Sequence, residues 1–203
     1  MNRILPILFI LCFGARSQAQ NQPTYVGIPS GVFNYYSASQ QNSNWCWAAS
    51  IQMIFNYYHV NINQAQIVRR SYGMDPYGNL PNWTGSLPII TANLNNWNVD
   101  NSGRQYRVQA VCYQTRPNDA YVVQELQAGR PVLIGYMTGP NSGHAVVATA
   151  CSYYQTPQGI RLHTIIVRDP WPSQQNVNSM GRNEYAWANF APKINAHWYV
   201  RVY

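Results

Sequence analysis

Gln40-Gln41-Asn42-Ser43-Asn44-Trp45-Cys46-Trp47-Ala48-Ala49-Ser50 runs from a polar loop into a predicted helix over residues 47–58. Ala48, Ile51, Phe55 and Tyr58 recur at three- and four-residue steps, which stacks them on one helical face. Cys46 lies one residue before that helix. A thiol there meets unpaired backbone N–H groups and the positive end of the helix dipole, and both favour the thiolate. The thiolate is the nucleophilic form of cysteine. A cysteine taken at random is more often a small buried core residue, so it is the helix-start position that sets Cys46 apart.

Working outward, residues 61–72 read as a second short helix stopped at Gly73, 73–86 as a Gly-, Pro- and Asn-rich loop, and 87–97 as a third helix. From Tyr106 the character changes. Residues 107–113 alternate as a strand, and 118–127 fit a helix capped by Asn118 and closed by Gly129. Residues 131–137, 145–150 and 162–167 are short apolar runs, and 197–203 alternate Trp198, Val200 and Val202 as a closing strand. Helices first and strands after predict an α+β domain with an N-terminal helical part and a C-terminal antiparallel sheet. Pro23, Gly27, Pro29 and Gly31 mark residues 20–35 as an extended lead-in to a single domain over 36–203.

A chain of 203 residues, 46% hydrophobic, has room for one apolar core. Only 9% of residues are charged, so Asn, Gln, Ser and Tyr supply much of the surface polarity. At the N-terminus, Asn2 and Arg3 precede an apolar run at residues 4–13, with Ser17 and Ala19 three and one residues before Gln20. This is the layout of a cleavable secretory signal cut after Ala19, and it predicts a secreted or periplasmic protein. The run is too short for a stable membrane anchor, and Cys12 lacks the small residue expected ahead of a lipidated cysteine. Removing Arg3 and Arg16 leaves a charge of +5 against +7 for the full chain. The basic residues are scattered without a stripe of interleaved aromatics, which argues against nucleic acid as a partner. Four dispersed His and no Cys-x2-Cys pair argue against a metal, and no cofactor is expected. Three cysteines remain after cleavage, so at least one thiol is unpaired. Cys112 and Cys151 are read either as one disulfide or as two buried free thiols.

A thiolate nucleophile needs a base. His59 ends the first helix, His163 sits inside an apolar strand, and His197 starts the last one. His144 differs: in Asn141-Ser142-Gly143-His144-Ala145-Val146-Val147 it stands where a loop enters an apolar strand. An imidazole at that edge is able to face a helix N-terminus across a cleft, and Gly143 lets the backbone approach closely. Asp169, in Val167-Arg168-Asp169-Pro170-Trp171, closes the next predicted strand. Adjacent antiparallel strands would bring it beside His144 to accept the second ring N–H. Asp before Pro also favours a turn, and Asp169 is able to serve both ends. Asn82-Trp83-Thr84 matches a glycosylation acceptor that matters only on a eukaryotic secretory route. Of Trp45 and Trp47, one is read as core and the other as a cleft wall. Most other Trp and Tyr are read as core or surface filler and not as a sugar platform.

The Gln-x5-Cys-Trp-Ala-Ala-Ser block resembles the active-site helix start of papain-like cysteine peptidases. The Gly143-His144 run and Asp169-Pro170 follow it in the order of the bacterial branch, the bacteriocin-processing (double-glycine) peptidase domains and the AvrRpt-type effector peptidases. Arg130-Pro131-Val132 also looks like the run leading to the His strand there. The likeness covers residues 36 to about 172. It implies a papain-like fold, a Cys46–His144–Asp169 triad, and Gln40 as an oxyanion-hole donor with the Cys46 backbone N–H; Gln41 is the neighbouring alternative. Papain itself has Asn in the third role, so Asp169 points to the bacterial branch.

The resemblance implies a monomeric cysteine peptidase acting on a peptide or protein. The same triad would serve deamidation or transglutamination, and an inactive papain-like binding module is the rival from another class. The absence of a long inhibitory pro-region argues against propeptide regulation. The absence of an attached transporter segment argues against double-glycine leader cleavage.

Overall fold

The computed structural model of the chain describes residues 22–174 and 178–203; the expected signal at 1–19 lies outside them. The lead-in is extended only in part, as strand β1 (Thr24–Gly27) followed by a single helical turn, α1 (Ser30–Phe33). It is built into the domain. β1 pairs antiparallel with strand β4 (Ser142–Thr156), placing Gly27 against Ala150. A Cβ on Gly27 would fall 2.4 Å from the Ala150 Cα, and φ there is 129°, so only glycine fits. Phe33 is fully buried.

Helix α2 (Cys46–Tyr57) begins on the cysteine itself. It is apolar well beyond the single predicted face, with Trp47, Met53 and Ile54 buried alongside Ala48, Ile51 and Phe55. A helix of that kind belongs inside the fold: α2 packs on β4 and also touches α3 (Gln64–Tyr72) and α4 (Leu87–Asn95). α3 starts three residues later than predicted because Asn63 is its cap. The Asn63 side chain accepts from the Gln66 N–H at 3.0 Å while the Gln66 side chain accepts from the Asn63 N–H at 3.0 Å. Pro88 in the first turn of α4 costs no helical hydrogen bond there.

The sheet is antiparallel in the order β2-β7-β3-β4-β5-β6, from β2 (Val108–Tyr113), β3 (Val132–Gly139), β5 (Gly159–Arg168), β6 (Arg182–Ala186) and β7 (Ile194–Val202), with β1 added beside β4. The apolar runs mark only the middles of β4 and β5, whose ends are polar. β6 reads Arg-Asn-Glu-Tyr-Ala and carries no apolar run because it is an edge strand. Successive residues serve two cores. Leu133, Val147 and Trp198 join the α2 side, while Val132, Ile134, Val146 and Ala148 join the side of α5 (Asp119–Gln127) and the short α6 (Trp187–Phe190).

Glu125 on α5 is buried, and both Arg130 (2.9 Å) and Arg201 (2.7 Å) bond to it; a buried carboxylate needs such partners. Cys112 packs toward the first core and Cys151 lies in the second, on different strands, and both are free thiols. Among the described residues no helix is long and apolar enough to cross a membrane.

Candidate active site

Trp45 caps α2 without a side-chain hydrogen bond, so the first-turn N–H groups beside Cys46 are not taken by a cap. The loop ahead of the helix is folded around Gln40. Its backbone N–H donates to Pro170 O (2.8 Å), and its side-chain amide donates to Asn42 O and Ser43 O, both at 2.9 Å. Gln40 is buried, and its Oε1 has no hydrogen-bond partner. Trp45 and Trp47 are both buried, their indole N–H groups donating to Pro81 O (3.0 Å) and Trp83 O (3.2 Å). Trp47 also lines the cleft. Asn44 donates to Asn82 Oδ1 (3.0 Å), and Asn82 Nδ2 donates to Ser43 Oγ (2.8 Å). The predicted loop over 73–86 is therefore pinned to the loop that leads into Cys46. At Gly85 a Cβ would fall 2.5 Å from the Trp47 ring.

Across the cleft, the Cys46 side chain stands beside the His144 ring, the two lining the same hollows. His144 Nε2 donates to Asp169 Oδ1 at 2.7 Å, which leaves Nδ1 for the thiol. The pairing Val147–Arg168 puts Asp169 just past the end of β5, so it reaches the ring diagonally and not from the directly opposite position. The same Oδ1 accepts the Trp171 N–H at 2.9 Å. Asp169 thus forms the turn and holds the ring at once. The His144 and Asp169 side chains are 11% and 9% exposed. Burial works against the imidazolium, but the hydrogen bonds and charges of Asp169 and Cys46 outweigh it and raise the His144 pKa from 6.5 to about 9.

The other histidines lie elsewhere. His59 stands at positive φ after α2, His163 is exposed on β5 beside Tyr154, and His197 is buried with Nδ1 on Thr115 O. Burial raises the thiol pKa at Cys112, against a smaller opposing effect of Thr91, and drives it up to about 12 at Cys151. Both shifts disfavour the thiolate.

Two hollows of about 410 and 480 Å³ meet at Cys46, Thr84, Gly143 and His144. One is walled by Leu87, Ile90, Met137 and Trp198, the other by Asn44, Ser142 and Gln174. The thiol and the imidazole therefore sit mid-groove, apolar on one side and polar on the other. Two cleft residues escape a reading of the sequence. Tyr136 faces His144 across β3–β4, ring centroids 5.7 Å apart, and only register reveals it. Trp171 lies 6.3 Å from the His144 ring, and the Asp-Pro-Trp turn is the signal that could have found it. Among the described residues no group of His, Cys, Asp and Glu gathers as a metal site.

A helix carrying a thiol at its start, facing a histidine on an antiparallel sheet, defines a papain-like cysteine peptidase fold, and known proteins of similar structure agree. The peptidase domain of Streptococcus ComA, a bifunctional ABC transporter of a quorum-sensing pathway, superposes with a TM-score of 0.53 at 13% identity, over 82% of this chain and 97% of that one. Digestive procathepsin L2 from Tenebrio molitor larval midgut gives 0.53 at 13% identity, over 86% and 69%. No curated protein matches the sequence. The profile of the Peptidase_C39 like family matches residues 32–194. The chain belongs to that family, and its enzyme class is cysteine-type peptidase.

Proposed function

We propose that the protein hydrolyses peptide bonds of a peptide or protein with Cys46 as nucleophile, His144 as base and acid, and Asp169 as the ring's anchor. The observation that carries this is the 2.7 Å bond from His144 to Asp169 Oδ1, made by a ring that lines the same hollows as Cys46. The Cys46 sulfur attacks the carbonyl carbon while the proton rests on His144. His144 then passes that proton to the leaving amine, and water, deprotonated by the same ring, releases the acid from the thioester. The Asp169 carboxylate fixes ring orientation and stabilises the imidazolium.

The oxyanion is held by the Cys46 backbone N–H and by Gln40. In the resting site both Gln40 amide hydrogens lie on loop carbonyls. Turning one onto the oxyanion exchanges a neutral hydrogen bond for a stronger charge-assisted one. The groove through Cys46 supports an extended substrate, and among the described residues no charged side chain lines it besides His144 and Asp169. The N-terminal segment makes the protein a secreted or periplasmic one, cut after Ala19.

Mass spectrometry of a peptide library digested by the wild-type chain and by Cys46→Ala tests the reading. Cleavage with wild type and none with a folded Cys46→Ala is expected. Equal cleavage by both overturns the nucleophile, and ammonia release without chain cleavage replaces hydrolysis by deamidation.

A further inference from the structure

A cavity of about 490 Å³ lies on the face of the sheet away from Cys46, between α5, β2 and β7. Its size is that of a small-molecule site, and the peptidase reading makes no use of it. Tyr113 and Tyr121 form its walls and remain 45% and 42% exposed, with Tyr199 between them at centroid distances of 5.7 and 4.5 Å. Two large aromatic rings are thus held in place with their outer surfaces unclaimed by the fold.

The lining also includes His197, which is only 3% exposed. Its Nδ1 is 2.9 Å from Thr115 O. A carbonyl only accepts, so Nδ1 carries the proton and Nε2 is a bare acceptor, with no protein donor on it among the described residues. Burial lowers the pKa of this ring, against a smaller opposing effect of the Thr115 bond, and so disfavours its charged form. Asn118 is oriented as well: its Oδ1 caps α5 by accepting the Tyr121 N–H at 3.2 Å, which leaves its Nδ2 hydrogens as donors. Gln124 adds a second amide, the Arg116 guanidinium at the rim is paired with Asp119 at 3.3 Å, and among the described residues no carboxylate lines the space.

These features restrict the ligand. Without a carboxylate the cavity has nothing to hold a metal ion or a basic peptide. A hydrocarbon side chain filling it would bury the Nε2 acceptor unsatisfied, which is unfavourable. The occupant must bring a hydroxyl or N–H donor to depth, a flat C–H face for the tyrosines, and further polar atoms for two amides. We infer that this cavity binds a saccharide, a neutral or N-acetylated hexose unit laid against Tyr113 and Tyr121 with a hydroxyl or amide N–H donated to His197 Nε2. Polarised C–H groups over the negative face of an aromatic ring supply the apolar part of the contact. The planar amides supply paired donors and acceptors for neighbouring hydroxyls.

The test is saturation-transfer NMR and calorimetry on the full chain with N-acetylglucosamine, N,N′-diacetylchitobiose, cellobiose and maltose at millimolar concentrations. N-acetyltyrosinamide serves as a probe of aromatic peptide side chains. At least one sugar is expected to bind. Tyr121→Ala should weaken it about tenfold through the lost ring contact. His197→Phe, which keeps the ring volume, should weaken it about fivefold through the lost hydrogen bond. Peptide cleavage should persist in both variants, which shows that they fold. Silence of all four sugars overturns the inference, as does sugar binding unaffected by both substitutions. Binding of N-acetyltyrosinamide alone overturns it too and assigns the cavity to a peptide.

Discussion

The two banks of the cleft are made in different ways. On the helical bank, Cys46 owes its chemistry to a few neighbouring residues: a loop that ends at Trp45 and a helix that begins at Cys46 itself. On the sheet bank, His144 and Asp169 are 25 residues apart and meet only because β4 and β5 pair in one register. A slip of one residue would turn His144 to the opposite face of the sheet, away from the thiol. Local helix geometry therefore presents the thiol, and strand register delivers the imidazole. The banks are tied together by hydrogen bonds: Gln40 N–H reaches Pro170 O at 2.8 Å, and Ser50 Oγ donates to Ala145 O at 3.1 Å.

Removing the anchor on the sheet bank should have the largest effect. Asp169→Asn is expected to lower kcat by about 10⁴-fold. It should also shift the basic limb of the pH–rate profile, which follows deprotonation of His144 near pH 9, to lower pH. The sign follows from what remains: without the carboxylate, burial still opposes the imidazolium. The same linkage touches stability. The folded His144 pKa is raised above 6.5, so its stabilising contribution is complete below 6.5 and is lost as pH rises through about 9. Denaturant midpoints of Asp169→Asn should change less over that window than those of wild type. An unmoved limb would mean that Asp169 holds only the turn.

On the helical bank the effect expected is smaller. Gln40→Ala should reduce kcat/KM by about 10²-fold, the usual loss for one oxyanion donor. Steady-state rates near wild type would leave Gln40 with the loop-holding role that its bonds to Asn42 and Ser43 describe. The smallest effect on rate lies outside both banks. Cys151→Ser should leave turnover unchanged while lowering the unfolding free energy by about 1–3 kcal/mol, because a hydroxyl would be buried among apolar side chains. Urea melts measure this, and a fall in turnover would show that the second core feeds back on the cleft.

Much of the site is legible in the amino-acid sequence. Cys46, His144 and Asp169 do converge, because a helix start and the ends of apolar strands leave marks in sequence. Gln40 is legible as a residue of the site loop, yet the direction of its amide is not, since Asn42 and Ser43 carbonyls compete for the same two hydrogens. β1 and β6 leave no apolar run and so escape a reading by periodicity. Tyr136 escapes it for a related reason: its place beside the imidazole is a property of register across two strands. The tyrosines at 113 and 121 read as filler in sequence, and only the gap between α5 and the edge of the sheet gives them exposed faces.

By itself the sequence determined the helix that presents Cys46, the alternation that gives the sheet two buried faces, and the order of thiol, imidazole and carboxylate along the chain. These rest on the 3.6- and 2-residue periods and on capping, which neighbouring residues decide. Tertiary structure alone decided that Cys112 and Cys151 stay apart, that Asp169 reaches His144 diagonally, and that the Gln40 amide turns toward its own loop. Each of these depends on distances between segments far apart in the chain, and no local preference encodes such distances.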